Sequence, residues 1–303
     1  MSLRTRSLLV LLLVYLLAGA FGWAVWKFLP LGDPVWSMLA GDLAATLVVW
    51  LFGVILDNSS VYDPYWSVVP PFLLLGWAVS LGSFPGTGGI LLFLAVTLWA
   101  FRLTANWFRG WKDFSVQDWR YVMIRKEHPR MWFLANLFGI NLMPTLIVFF
   151  QMAGSWRFLA AAPQLDFWIL FGFCLCLAAV VIQSVSDRQM EAFRRKNAGK
   201  GKCIDEGLWR YSRHPNYFGE VAMWWGVWLI TSGGTGNWDL WVLAPILMTA
   251  LFLFISIPMM ERKILSTRPQ YRQYQRRVSI LVPFFPRSGD NDASVAGSAG
   301  ERG

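Results

Sequence analysis

The sequence predicts an all-α, polytopic helical membrane protein. Of its 303 residues, 56% are hydrophobic and only 15% are charged, and the mean hydropathy is +0.44. A soluble domain of this length would need more polar surface than this composition offers. Several apolar stretches approach the roughly 20 residues that a helix needs to cross a bilayer. We therefore expect a single-domain integral membrane protein with about eight transmembrane helices, within a range of seven to ten.

The predicted spans follow one another from the N-terminus, with short polar connections between them. Their approximate ranges are 8–29, 42–56, 68–81, 90–108, 131–152, 167–186, 217–230 and 238–260. The first stretch stays apolar for longer than an ordinary signal-peptide core, so we expect it to be retained. Pro144 should kink the fifth span and free a backbone carbonyl. The last two ranges form a predicted helical hairpin, although 217–230 is short for a full crossing.

The distribution of charge predicts the orientation in the membrane. With eight crossings and both termini in the cytoplasm, 24 of the 27 Lys and Arg residues face the cytoplasm, as the positive-inside rule requires. That side would also hold the acidic and aromatic stretch DNSSVYDPYWS at 57–67 and the DWRY motif at 118–121. Basic residues that alternate with spans do not suggest nucleic-acid binding. The Gly-, Ser- and Asp-rich stretch 287–303 is expected to be a disordered tail behind a single membrane domain at 1–286.

The most informative stretch is GLWRYSRHPNYFGE at 207–220, at the mouth of the seventh predicted span. Its arginines alone would suit a loop that contacts lipid headgroups and fixes topology. That task does not need an imidazole, a Pro-fixed turn, or a carboxylate one helical turn past Asn216. We therefore interpret the stretch as a binding site for an anionic ligand at the membrane face. The chain has two histidines and three cysteines without metal-type spacing, so we predict no metal site.

The same residues carry a family resemblance. The motif LWRYSRHPNYFGE at 208–220, the WWG at 224–226 and the later RPQYRQY at 268–274 resemble the DUF1295 family. That family is similar to the C-terminal domain of steroid 5-alpha-reductases. Its wider cousins are the sterol C14 and C7 reductases and the isoprenylcysteine carboxyl methyltransferases. The resemblance implies a membrane reductase that binds NADPH from the cytoplasm, with a cofactor-binding half at about 187–286 and a substrate-side half at about 1–186.

The resemblance also implies which side chains contact NADPH. By position they are Asp187, Arg194, Arg210, Arg213, His214, Asn216, Tyr217, Glu220, Arg262, Tyr271 and Tyr274. Arginine can grip the pyrophosphate and the 2′-phosphate in a bidentate manner. Asn and Glu can hold a carboxamide edge, and Tyr can stack or donate a hydrogen bond.

The predicted catalytic residues lie in the N-terminal half. Steroid 5-alpha-reductases carry a Glu and a Tyr there that engage the substrate enone, and the nearest chemical equivalents here are Asp57, Tyr62 and Asp63. We expect hydride transfer to the C=C bond of an apolar, lipid- or steroid-like substrate that enters from the bilayer. A buried carboxyl can stay protonated near neutral pH and polarise the conjugated carbonyl.

Two other functions fit part of the pattern. Isoprenylcysteine and phospholipid methyltransferases share an RHP-x-Y-x-G core, which would make this chain an S-adenosylmethionine-dependent enzyme. Asn216 and the density of arginines favour a phosphate-bearing dinucleotide instead. The third alternative is a non-catalytic lipid-binding membrane protein that keeps the fold but not the chemistry.

Overall fold

The computed structural model describes residues 1–82, 86–198 and 201–287, and confirms an all-α protein. The described residues form no β-strand, and the β-type pairing among them is an isolated bridge between Ser212 and Ser279. Apart from Arg287, the predicted disordered tail lies outside the described residues.

Twelve α-helices are described, in the order α1 to α12. They are Leu3–Phe28, Pro34–Ile55, Tyr65–Leu81, Gly86–Gly110, Trp119–Glu127, Trp132–Leu134, Met143–Ala161, Phe167–Lys196, Pro215–Trp228, Leu243–Leu251, Ile257–Thr267 and Tyr271–Arg277. Three π-helical segments continue α6, α9 and α10, namely Ala135–Leu142, Leu229–Gly233 and Phe252–Ser256. Short 3₁₀ turns occur at Ser59–Val61, Pro129–Met131, Gly207–Arg210 and Leu240–Val242.

Seven helical segments in the described part of the chain are long and apolar enough to cross a membrane. They are Leu3–Phe28, Pro34–Ile55, Ser59–Leu81, Gly86–Gly110, Pro129–Ala161, Phe167–Lys196 and Leu240–Thr267. The protein is therefore an integral, multi-pass membrane protein. The segment built on α9 is not among the seven, in keeping with the short length of its predicted span. A total of eight crossings and cytoplasmic termini remain predictions.

Two of the π-helical segments end two residues before a proline. Proline lacks an N–H, and its ring clashes with the carbonyl four residues earlier. Pro144 follows the π-helical segment Ala135–Leu142, and Pro258 follows Phe252–Ser256. The wider π turns absorb the extra volume of the ring and leave carbonyls without their usual helical partner. Within the first of these segments the Asn141 side chain adds a hydrogen bond, since its Nδ2 donates to the Asn136 backbone oxygen at 2.8 Å.

The chain divides into two compact units. Unit 1 comprises Met1–Cys176 and Trp225–Pro245, and unit 2 comprises Leu177–Trp224 and the chain from Ile246 onward. In unit 1, α1 and α2 approach so closely that a Cβ on Gly22 would lie 2.6 Å from the Gly41 carbonyl oxygen. Paired small residues permit this contact between membrane helices. In unit 2, α8 and α9 approach at Gly219, where a Cβ would lie 2.5 Å from Gln183 Cγ.

Candidate functional site

The RHP motif in unit 2 is held at the start of α9 by local hydrogen bonds. The Ser212 hydroxyl accepts from the His214 N–H at 3.1 Å and donates to the Leu281 carbonyl at 2.6 Å. Pro215 is the first residue of α9, where its fixed φ suits a helix and its missing N–H costs nothing. This geometry turns the chain sharply before α9 and directs Arg213 and His214 inward.

Arg213 and His214 both contact the Glu261 carboxylate of α11. Arg213 Nε lies 2.8 Å from Glu261 Oε1, and His214 Nε2 lies 3.1 Å from the same atom. The Tyr271 hydroxyl donates to Oε1 at 3.1 Å, and Gln275 Nε2 donates to Oε2 at 2.7 Å. We call these five residues the Glu261 cluster. It joins the RHP motif, α11 and α12 around a single negative charge.

The Glu261 cluster is shielded from water. The Arg213 and Glu261 side chains are only 10% and 11% exposed. Arg213 Nη1 also donates to the Gln275 backbone carbonyl at 2.6 Å, so the guanidinium is extensively committed inside the unit. A buried ion pair with this many hydrogen bonds fixes geometry, and breaking it is costly because one charge is left alone.

Two predicted cofactor tyrosines are neutral donors in this region. Burial, and then the Glu261 carboxylate, raise the pKa of Tyr271 well above its ordinary value. Burial raises the pKa of Tyr274 as well. The Tyr274 hydroxyl donates to the Trp209 backbone carbonyl at 2.5 Å, and thereby ties α12 to the loop before the RHP motif. Both phenols therefore support the loop in this structure.

Glu220 is a second buried carboxylate in unit 2. Its Oε1 accepts from Trp224 Nε1 at 3.0 Å, and its Oε2 accepts from Gln183 Nε2 at 3.0 Å. These bonds connect the first turns of α9 to α8. Glu220 is 5% exposed. The sequence suggested Glu220, one turn after Asn216, as part of a ligand site. In the structure its carboxylate also joins α8 to α9.

The remaining predicted cofactor residues are more accessible. Arg194, Arg210 and Arg262 are exposed, whereas Asp187, Asn216 and Tyr217 are half-buried. The Tyr217 ring stacks on His214, with 5.4 Å between centroids and 10° between planes. The predicted set therefore contains two kinds of residue in unit 2: side chains that build the loop, and exposed cations that could reach a phosphate.

The predicted catalytic residues belong to unit 1, and the structure places the three of them differently. Asp63 accepts a hydrogen bond of 2.5 Å from the Tyr121 hydroxyl on α5. Tyr62 is buried, and its hydroxyl lies 2.8 Å from Thr145 Oγ1. Asp57 is exposed and forms an ion pair with Arg125 at 2.7 Å. Asp63 and Tyr62 thus lie inside the unit, whereas Asp57 lies on its surface.

Tyr121 is the residue that the sequence prediction missed as the partner of Asp63. It lies in the DWRY motif, and the Asp118 backbone N–H at the start of α5 donates to Ser60 Oγ at 2.9 Å. That bond places α5 against the stretch that contains Asp63. Burial, and then the Asp63 carboxylate, raise the pKa of Tyr121 well above its ordinary value. The phenol therefore keeps its proton at neutral pH.

A second carboxyl–phenol pair lies deeper in unit 1. The Tyr65 hydroxyl donates to Asp42 Oδ1 at 2.8 Å, and Asp42 is only 6% exposed. Thr46, one turn further along α2, hydrogen-bonds to Thr145 at 3.0 Å. Asp42 is the first residue of a predicted apolar span, so its charge was the feature of the sequence that could have identified it as a functional candidate. These polar groups bind α2, α3 and α7 together beside the candidate catalytic residues.

Comparison with known proteins places the chain in a family. The model of DUF1295, described as a protein of unknown function, matches residues 49–278. An uncharacterized protein of Schizosaccharomyces pombe is 27% identical over 282 residues, covering 82% of this chain and 80% of that protein. Methanethiol S-methyltransferase 1 of Bradyrhizobium diazoefficiens is 31% identical over 78 residues, which is 25% of either chain. No solved structure matches the chain.

The family match covers both the Asp63–Tyr121 pair and the Glu261 cluster. Its group of membrane proteins includes steroid reductase-like and methyltransferase-like members, which points to a membrane enzyme without fixing the reaction. The chain belongs to the DUF1295 family, in the steroid reductase/methyltransferase-like group of membrane proteins.

Proposed function

We propose that the protein is a membrane-embedded, NADPH-dependent reductase. Its reaction transfers a hydride to a C=C bond that is conjugated to a carbonyl in an apolar, lipid- or steroid-like substrate. The observation that carries this proposal is the Asp63–Tyr121 hydrogen bond, at 2.5 Å. A carboxyl paired with a protonated phenol suits polarisation of a carbonyl oxygen. Methyl transfer from a sulfonium needs a nucleophile and a base, but it does not need an acid that polarises a carbonyl.

In this proposal Asp63 is the acid and Tyr121 positions it. Tyr121 donates to Oδ1, so the second carboxyl oxygen, in its protonated form, can donate to the substrate carbonyl. NADPH, when bound, would supply the hydride that adds to the β-carbon. The proton from Asp63 makes the carbonyl an enol. A proton from solvent then adds at the α-carbon, and the enol proton returns to Asp63, which completes the reduction and restores the acid.

The residues of unit 2 fit a phosphorylated dinucleotide in part. Arg194, Arg210 and Arg262 are exposed and have the charge and fork geometry for phosphate. Asn216, in the first turn of α9, offers a half-buried amide for a carboxamide edge. Arg213 is committed to Glu261, so we assign it the shaping of the loop. The cytoplasm is the side from which the cofactor would enter.

Isotope transfer tests the reductase proposal. The full chain in lipid nanodiscs would receive NADPH that carries deuterium at the transferable position, together with a panel of apolar enones. We expect deuterium at the β-carbon of a reduced product, detected by mass spectrometry. The Asp63→Asn variant should transfer little label while it still binds NADPH. Efficient transfer by Asp63→Asn would remove Asp63 from the mechanism, and binding without transfer to any enone would contradict the reaction class.

The second candidate is an S-adenosylmethionine-dependent methyltransferase. The partial similarity to methanethiol S-methyltransferase 1 favours it. Under this alternative the Glu261 cluster would shape a site for a cationic sulfonium, for which an anionic carboxylate is a suitable neighbour. Incubation with S-adenosylmethionine that carries a labelled methyl group, with thiol, carboxylate and lipid acceptors, discriminates the two. Label in an acceptor, without NADPH oxidation, would replace the reductase proposal.

A further inference from the structure

The chain after α12 forms an extended segment against the RHP motif. We call residues 278–287 the C-terminal strap. The Arg213 N–H donates to the Ser279 carbonyl at 2.8 Å, and the Phe284 N–H donates to the Tyr211 carbonyl at 2.9 Å. The Ser212 hydroxyl bonds to the Leu281 carbonyl at 2.6 Å. Three successive residues of the candidate ligand loop are therefore fastened to the strap, all within unit 2.

The outer side of the strap is strongly apolar. Val282, Phe284 and Phe285 are 60%, 70% and 76% exposed. Pro283 lies between Val282 and Phe284, and Pro286 follows Phe285. Prolines at 283 and 286 have no N–H to donate, so the segment is poorly suited to pair with another strand. Large apolar side chains clustered outward mark a contact with a protein or a membrane.

The charge around the strap favours a membrane over a protein as the contact. Between Glu261 and Ser288 the sequence has no acidic residue, and its cations are Arg262, Lys263, Arg268, Arg272, Arg276, Arg277 and Arg287. Arg276, Arg277 and Arg287 are exposed at the two ends of the strap. The strap begins eleven residues after Thr267, where α11 and the candidate span Leu240–Thr267 both end. Exposed aromatic residues bordered by arginines close to a membrane helix match an anionic headgroup layer.

We propose that the C-terminal strap binds an anionic lipid leaflet and that this contact holds the candidate ligand loop in place. Val282, Phe284 and Phe285 insert at the boundary between headgroups and acyl chains. The flanking arginines contact lipid phosphates or carboxylates, with their aliphatic stems along the apolar surface. Detachment of the strap would remove the hydrogen bonds that join residues 211–213 to it. The inference stands independently of the cofactor and of the reaction.

Hydrogen exchange of the full chain in nanodiscs tests this proposal directly. We would compare bilayers of phosphatidylcholine alone with bilayers that also contain phosphatidylglycerol. Amides of the strap and of residues 209–214 should exchange more slowly, by about fivefold or more, in the anionic bilayer. The difference should shrink in high salt, because screening weakens the contact. Equal exchange in the two bilayers would overturn the proposal, whether the strap is free in both or covered by another part of the chain.

Matched variants separate insertion from folding. The double variant Val282→Ser with Phe284→Ser keeps every backbone bond of the strap and should lose most of the anionic-lipid protection. In the double variant Arg276→Gln with Arg277→Gln, amide protection should no longer depend on anionic lipid. The part of the protection that high salt does not remove should stay. Leu240→Ser is the control, since Leu240 is 79% exposed but belongs to unit 1. Full protection in the apolar double variant would exclude insertion of these side chains.

Discussion

The Glu261 cluster and the Asp63–Tyr121 pair use carboxyl groups in opposite ways. Glu261 faces an arginine, a histidine, a tyrosine and a glutamine, so its negative charge is balanced and every oxygen is bonded. Asp63 receives a short bond from a neutral phenol that keeps its proton. The first arrangement stabilises a fixed charge and builds a loop. The second places a neutral hydrogen-bond donor beside a carboxyl, and under the reductase proposal that donor positions the acid.

The comparison predicts its largest effect on stability at Glu261. Glu261→Gln should lower the free energy of unfolding by about 3 kcal/mol, because the buried Arg213 loses its counter-charge. Equilibrium unfolding in mixed micelles would measure it. Glu191→Gln is the matched control, since Glu191 also pairs with an arginine but is 51% exposed. It should cost less than about 1 kcal/mol. Equal losses in the two variants would refute the structural role of the Glu261 cluster.

The next effect concerns catalysis rather than stability. Tyr121→Phe removes the hydroxyl that positions Asp63, and we expect kcat for enone reduction to fall about a hundredfold while NADPH affinity stays unchanged. Tyr15→Phe is the control, because its hydroxyl donates to the Val61 backbone carbonyl, at 2.7 Å. The pH profile of Tyr121→Phe should shift with the loss of its hydrogen bond to Asp63. An unshifted profile with full activity would show that the pair has only a structural role.

A smaller effect is expected from the exposed arginines of unit 2. Arg210→Gln should weaken NADPH binding about tenfold, since a charge-assisted bond to phosphate is worth roughly 1.5 kcal/mol or more. Arg195→Gln serves as the control, because Arg195 already pairs with Glu191. Its effect should stay below about twofold. Fluorescence titration with NADPH would compare the affinities of the two variants. The same affinity in both would show that Arg210 does not bind the phosphate.

Asp57 should give the smallest effect. Its side chain is 74% exposed and its partner Arg125 is 46% exposed, so water and salt screen the ion pair. Asp57→Asn should change the free energy of unfolding by less than about 1 kcal/mol and leave turnover unchanged. The contrast with Asp63→Asn in the same assay sharpens the choice between two carboxylates six positions apart. A large loss of turnover in Asp57→Asn would reverse that choice.

Local sequence rules predicted the fold well because membrane helices are specified by local composition. The long apolar stretches correspond to the candidate spans. The π-helical segment Ala135–Leu142 ends two residues before Pro144, close to the predicted kink. The range 217–230 gave a weaker signal because its helix starts inside the RHP motif at Pro215. The sequence also indicated that the stretch with Arg213 and His214 is a candidate site, because a loop that only fixes topology does not need an imidazole.

The partners of those residues could not be predicted from the sequence. Tyr121 lies 58 positions from Asp63, and His214 lies 47 positions from Glu261. Such contacts depend on how helices pack, and no local periodicity encodes them. For the same reason Arg213 and Tyr271 read as phosphate and cofactor contacts in the sequence, whereas in the structure they bond to Glu261. The composition of the loop showed which polar and charged groups it carries. It did not show which of them bond inside unit 2 and which are exposed.

The most direct test of the account is a paired cofactor titration of the purified full chain in nanodiscs. We predict saturable binding of NADPH that Arg210→Gln weakens, and no saturable binding of S-adenosylmethionine. Saturable binding of S-adenosylmethionine together with none of NADPH would contradict the reductase and favour the methyltransferase.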